Sequence, residues 1–296
     1  MTNTDVKAEI LIIGAGPKAA AIVSKAHVLN SLGLAHLEVT VLERSCRASS
    51  WTGTYGYTTG REELGTRPEK DVGFPYESEF YGAKAADVEK AMFEFSWSSY
   101  LVSRKRYRRW VDCGVENPEH REFAEYLEWV FEKATNGIKH LKGEACAVTR
   151  NEFGWQVNCS SEADGQFCIN VSKGIVLTGS GHSKNIKSEE SIRHRIFSPD
   201  VFRQDIRKYN ISSDESICIA GSGESAATMA LHLIQYYGPD IQLTLIAPSL
   251  PSSRAESYLE NSVYSSSNLV RWELLPLHVR MDFIARTDRG VMSPAV

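Results

Sequence analysis

The chain has no Cys-x-x-Cys pair, no His/Cys grouping at zinc-ligand spacing, no long basic run and no apolar stretch long enough to cross a bilayer. Each absence removes a class. Lack of a redox dithiol argues strongly against a disulfide reductase, and lack of clustered ligands leads to the expectation that no metal is bound. The six cysteines, Cys46, Cys113, Cys146, Cys159, Cys168 and Cys218, read as reduced thiols, since free cysteine behaves as a small buried hydrophobe. One basic cluster, Ser103 to Trp110 (SRKRYRRW), lies among acidic and aromatic neighbours in a chain of net charge −4, so nucleic acid is not an expected partner. The start, MTNTDVKAEI, lacks a basic region followed by an uninterrupted apolar one. The expectation is a cytoplasmic protein with no membrane partner.

What is present is a chain of 296 residues, 42% hydrophobic, enough for one large domain or two smaller ones. Glu9 to Ile13 is a β-branched run, and the turn Gly14-Ala15-Gly16-Pro17-Lys18-Ala19 follows at once, before an Ala-rich helical pattern. This is the G-x-G-x-x-A form of a dinucleotide fingerprint. Gly14 permits the tight turn, Gly16 lets the backbone approach a pyrophosphate, and Ala19 lets helix and strand pack closely. The fingerprint alone is a weak signal. Its context strengthens it, because the next strand, Leu37 to Arg44, carries Glu43, an acid placed to accept hydrogen bonds from a ribose.

A second unit of the same kind follows: a strand from Ser216 to Ala220, the turn Gly221-Ser222-Gly223-Glu224-Ser225-Ala226, and a helix. Two fingerprints imply two dinucleotides. The strand after it, Gln242 to Ser249, ends without a carboxylate, and Arg254 stands a few residues on. That combination favours NADP over NAD, although a solvated loop cation explains Arg254 equally well. Between the two units, GWQVNCS, QFCINV and GIVLTGSGHS read as short strands separated by polar turns, and the helical stretch His120 to Ala134 places Phe123, Tyr126, Leu127 and Val130 on one core-facing side.

In their order along the chain, GAGPKAAAIVSKA, RPEKDVGFPY, SWSSYL, GSGESAATM, ENSVYS and ARTDRGV closely resemble the flavin-dependent N-hydroxylating monooxygenases acting on lysine or ornithine, with the mycobactin-type lysine N-oxygenases nearest. The resemblance implies an α/β fold of two Rossmann-like dinucleotide-binding domains, for FAD and NADPH, with a small β-meander insertion. It implies an FAD-binding domain over 1–208, lacking its C-terminal return segment, and an incomplete NADPH-binding domain over 209–296 with a substrate-facing segment 254–290. The FAD-binding residues implied are Gly14, Gly16, Pro17, Ala19, Glu43 and Trp51, and the NADP-binding residues Gly221, Gly223, Glu224, Ala226 and Arg254.

In that family the lysine of the Lys-Asp pair, here Lys70, faces the carboxylate of the substrate amino acid. A cation on a Gly/Pro loop has the complementary charge for it. Without the resemblance, Lys70 pairs with a nearby acid just as readily. Asn261 matches a family asparagine that touches substrate and cofactor. Asp288 falls where many relatives have Asn, and reads either as an acceptor for the α-ammonium or as a turn residue. The implied reaction is N-hydroxylation of the side-chain amine of L-lysine or L-ornithine by O2 through a C4a-hydroperoxyflavin, for siderophore or other hydroxamate biosynthesis. The cofactor carries the difficult step, so no general base is assigned. Family members run on for about a hundred residues or more beyond the point where this chain ends. Two readings follow: an active enzyme, helped by a second copy or a complementing chain, or a non-catalytic nucleotide-binding relative.

Overall fold

The computed structural model describes residues 5–152, 154–163, 165–179, 189–199, 202–206, 208, 211, 215–247, 252–253, 269–287 and 291–292. The chain divides into two compact units. The first comprises Met1–Ser49, Glu69–Glu116 and Glu122–Ser183, and the second Ser50–Pro68, Asn117–Arg121 and Lys184–Val296.

The first unit is built on β1 (Asp5–Ile13), α1 (Pro17–Ser31) and β2 (Val39–Glu43). Next come α2 (Ala85–Phe93), α3 (Trp97–Ser103), α4 (Tyr107–Asp112) and α5 (His120–Lys133), whose first two residues count with the second unit. The strands β3 (Ile138–Lys142), β4 (Glu144–Asn151), β5 (Gly154–Ser161) and β6 (Gly165–Leu177) complete it. One six-stranded sheet runs β3-β2-β1-β6-β5-β4. The pairs β1–β2, β2–β3 and β1–β6 are parallel, while β4–β5 and β5–β6 are antiparallel. A strand inside a parallel sheet is covered on both faces, which is why the second half of β1, Ile10 to Ile13, reads as a continuous apolar run. Leu11 and Ile12 point to opposite faces and both are fully buried, and Ala19, Ala20 and Val23 of α1 are buried beside them.

The meander, β4-β5-β6, joins the same sheet as the parallel strands. Its last strand pairs along the whole of β1, from Asp5↔Cys168 to Ile13↔Leu177. The two strands read as QFCINV and GIVLTGSGHS are one 13-residue strand. Between them the register steps from Ala8↔Val171 to Ile10↔Gly174, two residues on β1 against three on β6. The Ser172-Lys173 stretch between them, read as a turn, therefore lies in a β-bulge. Ala8, Leu11, Leu42, Val157, Cys159, Phe167, Ile169 and Val171 form one core across parallel and antiparallel strands.

The second unit contains α6 (Phe202–Ile206) and a βαβ element of β7 (Ser216–Ala220), α7 (Glu224–Tyr237) and β8 (Gln242–Ile246), with β7 and β8 parallel. Phe202, Ile206, Ile219, Ala226 and Leu233 make its core. β9 (Ser252–Ser253), α8 (Leu269–Leu274), α9 (Leu277–Thr287) and β10 (Val291–Met292) follow, β9 and β10 pairing parallel. Among the described residues no helix is long and apolar enough to cross a membrane.

Candidate active site

In the first unit, β1 ends in the Gly-rich turn and α1 starts on it. Gly14 has φ +98, a conformation that favours glycine, and a Cβ there would stand 2.5 Å from Thr178 Oγ1. The Thr178 hydroxyl lies 2.9 Å from the Ile13 carbonyl and 3.2 Å from that of Gly14, so the residue after β6 braces the turn. Gly16 differs. Its φ −91 and ψ −168 are extended backbone open to any residue, and a Cβ built there meets nothing within 4 Å. The space beside it suits a phosphate group. No side chain caps α1 and no acid occupies its first turn, so its N-terminal partial charge is available to an anion. Pro17 sits at the start of the helix, where its missing N–H costs nothing, and Ala19 is buried.

Glu43 closes this turn from the end of β2. Its Oε2 accepts the Ala15 N–H at 2.9 Å, and its Oε1 accepts the Ser45 N–H at 3.0 Å and the Ser45 hydroxyl at 3.1 Å. A carboxylate has about four lone-pair directions. Three donors from the protein leave one for a ribose hydroxyl. These residues together fit the adenosine-diphosphate part of a dinucleotide.

Lys70 also lies in the first unit and is half-buried. The carboxylate of its neighbour Asp71 collects donors from two directions. Oδ1 accepts the Gly73 N–H at 3.0 Å and the Tyr76 hydroxyl at 2.7 Å, and Oδ2 accepts the Trp97 N–H at 2.9 Å, at the start of α3. Burial pushes the Asp71 carboxyl up, against the pull of these hydrogen bonds. The Val72 N–H donates to the Tyr126 hydroxyl at 3.3 Å, which donates in turn to the Phe95 carbonyl at 2.8 Å. A Cβ on Gly73 would lie 2.5 Å from the Tyr76 ring, so the ring would have to shift.

The second unit holds the second fingerprint. Gly221 has φ +141, and a Cβ on it would sit 3.6 Å from that of Ala226, so the turn and α7 pack closely. Gly223 is the N-cap of α7 without a side-chain bond, and Glu224 places an acid in its first turn. Tyr57, from the loop that follows residue 50, hydrogen-bonds Ser225. Burial pushes its phenol up, opposed by that bond.

Trp51 belongs to this second unit, whereas Gly14, Gly16, Pro17, Ala19 and Glu43 belong to the first. Its ring meets that of His120 edge-on, with centroids 4.7 Å apart. His120 is buried in a knot that the sequence does not advertise. Glu62 accepts the Thr58 hydroxyl at 2.5 Å and the Thr59 N–H at 2.9 and 2.8 Å, and Thr58 Oγ1 lies 2.8 Å from His120 Nδ1. Thr58 gives its one proton to Glu62, so Nδ1 carries the histidine proton and donates it. Backbone bonds from His120 to the Glu62 carbonyl and from Arg121 to the Gly60 carbonyl fasten the same segments.

Burial opposes ionisation of Glu62, but the Thr58 and Thr59 bonds hold its carboxyl below the ordinary 4.5. Burial also pushes His120 below 6.5, with Glu62 pulling the other way. Both folded values lie below the unfolded ones, so both groups contribute stability that is lost on acidification. The loop is expected to loosen as pH falls below 6.5, and again as Glu62 protonates below 4.5. Trp51 fluorescence followed against pH, in a variant where Trp51 alone reports, checks this. Glu62→Gln is expected to remove the lower step and leave the upper.

Arg254, Asn261 and Asp288 lie outside the described residues.

A model of the family "L-lysine 6-monooxygenase/L-ornithine 5-monooxygenase" matches residues 88–294. The L-lysine N6-monooxygenase MbtG of Mycolicibacterium paratuberculosis is 34% identical over 289 residues, 97% of this chain and 64% of that protein. MbtG of Mycobacterium tuberculosis is 33% identical over 288 residues, again 97% and 64%. The chain thus spans 64% of the length of these curated relatives. Among solved structures, lysine monooxygenase NbtG from Nocardia farcinica matches with a TM-score of 0.79 at 33% identity, over 97% of this chain and 67% of that one. The ornithine hydroxylase PvdA from Pseudomonas aeruginosa matches at 0.66 with 17% identity, over 97% and 66%, which shows a shared fold. The family model covers well over half of the chain and includes the second fingerprint, so the chain belongs to the L-lysine 6-monooxygenase/L-ornithine 5-monooxygenase family.

Proposed function

We propose that this chain carries out, or supplies the nucleotide- and substrate-binding core for, FAD- and NADPH-dependent N-hydroxylation of the side-chain amine of L-lysine or L-ornithine with O2. The reading rests chiefly on the 34% identity to a lysine N6-monooxygenase along 97% of the chain. NbtG is described as having an NADPH domain, and the more distant ornithine N-hydroxylase KtzI as holding reduced FAD, NADP+ and L-ornithine. The proposed assignment gives FAD to 1–208, through Gly14, Gly16, Pro17, Ala19, Glu43 and Trp51. It gives NADPH to 209–296, through Gly221, Gly223, Glu224, Ala226 and Arg254, with substrate contacts from Lys70, Asn261 and Asp288.

Bound FAD, reduced by NADPH, supplies the oxygen activation. The chain's own groups bind and orient. The open side of Gly16 and the uncapped start of α1 receive the FAD pyrophosphate. Lys70 offers a cation to the substrate carboxylate, which fixes how far the side-chain amine reaches. The amine must be uncharged to react, and surroundings that exclude water favour that form. The product is a hydroxylamine of the kind used in hydroxamate siderophores.

The test is mass spectrometry of L-lysine and L-ornithine incubated with the chain, FAD, NADPH and 18O2. A product heavier by one labelled oxygen atom supports the reading and names the substrate. No product from folded, flavin-loaded protein turns the assignment to a nucleotide-binding relative or to one part of a two-chain enzyme.

A further inference from the structure

Asp71 is tied down by the Gly73 amide, the Tyr76 hydroxyl and the Trp97 amide, at 3.0, 2.7 and 2.9 Å. Ser96 already serves the Ser99 amide at 3.1 Å as the cap of α3. The Trp97 amide, one of the unsatisfied donors at a helix start, takes its acceptor from the loop instead. The next residue, Val72, is held by Tyr126 of α5, which is fully buried. Two consecutive residues after Lys70 are thus locked onto two helices of the first unit.

We propose that Asp71 is the positioning residue of the substrate site: its carboxylate fixes the loop between α3 and the Tyr76 turn, and so sets where Lys70 presents its ammonium to an amino-acid carboxylate. This rests on the reading of Lys70 as the substrate anchor. A carboxylate is needed because both of its oxygens accept. Asparagine has one acceptor oxygen and would turn an N–H either toward the Trp97 amide or toward the Gly73 amide. Burying a carboxylate is costly unless it is hydrogen-bonded, and the three donors offset part of that cost here.

Asp71→Asn, nearly isosteric, is the first variant, studied on the full chain loaded with FAD. Two readouts separate positioning from general damage. The first is the acylation rate of Lys70 by an amine-selective reagent, mapped by mass spectrometry with exposed Lys208 as reference. Asp71→Asn is expected to change it severalfold and leave Lys208 unchanged. The second is L-lysine affinity by calorimetric titration. Asp71→Asn and Lys70→Ala are each expected to lower it by about tenfold or more, and the double variant no further than Lys70→Ala alone, since Asp71 acts through Lys70. Tyr76→Phe, which removes one donor, is expected to shift both readouts in the same direction by less, and serves if Asp71→Asn fails to fold.

Unchanged Lys70 acylation in these variants overturns the proposal, as does full additivity with Lys70→Ala. If Lys70→Ala binds L-lysine as well as the unaltered chain does, the substrate reading of Lys70 falls, while the acylation rate still decides whether Asp71 positions it.

Discussion

Alanine at Gly14 is expected to cost the protein both stability and flavin affinity, whereas alanine at Gly16 is expected to cost flavin affinity alone. The two glycines lie two residues apart and serve different physical ends. At φ +98 a residue with a Cβ is strained, by roughly 1–3 kcal/mol. The added methyl would also stand 2.5 Å from the Thr178 hydroxyl oxygen. Thr178 must then turn away and give up its bond to the Ile13 carbonyl, worth about another 1 kcal/mol. At Gly16 the backbone is ordinary and a methyl enters open space. Stability should change by less than about 0.5 kcal/mol. That open space is where the backbone must approach a pyrophosphate, so FAD affinity should fall about a hundredfold, near 2.7 kcal/mol. Urea unfolding and FAD titration of both variants check this pair of outcomes. Equal loss of stability at the two positions would mean the space beside Gly16 is structural.

Tyr126→Phe is expected to destabilise the first unit by roughly 2–4 kcal/mol through the loss of one oxygen atom. The ring is fully buried and packs edge-on or tilted against Trp97, Tyr100, Phe123 and Trp129. Phenylalanine preserves all of that. The hydroxyl is a relay, accepting from Val72 and donating to Phe95. Its removal strands a donor and an acceptor in the interior, each costing about 1–3 kcal/mol. The thermal midpoint should fall by about 5–15 °C. A drop of only a degree or two would show that the loop relaxes to satisfy both groups elsewhere.

Local features of the fold were legible in the sequence for a local reason. β1, the Gly-rich turn and α1 are contiguous, and each residue's steric role is decided by its neighbours. The second β-turn-α unit reads in the same way. Phe123, Tyr126, Leu127 and Val130 recur at helical spacing and are all buried. The bulge in β6 misleads because Ser172-Lys173 has the polar composition of a turn, and only pairing with β1 shows that the strand continues. The role of Asp71 is not legible because its partner Trp97 is 26 residues away, and that of Tyr126 because Val72 is 54 away. The Thr58–His120 contact spans 62 residues. Polar knots of this kind carry no periodicity, so composition and spacing pass over them. Trp51 follows Glu43 closely in sequence yet belongs to the other unit, which adjacency along the chain could not reveal.

Equilibrium titration of FAD into the unaltered 296-residue chain, followed by flavin fluorescence, tests most directly whether the turn from Gly14 to Ala19, braced by Thr178 and closed by Glu43, is a working flavin site. The expected result is saturable binding in the low micromolar range or tighter, about −8 kcal/mol or better. Folded protein that shows no saturable binding would contradict the assignment of FAD to residues 1–208, and with it the flavin-dependent reaction proposed for this chain.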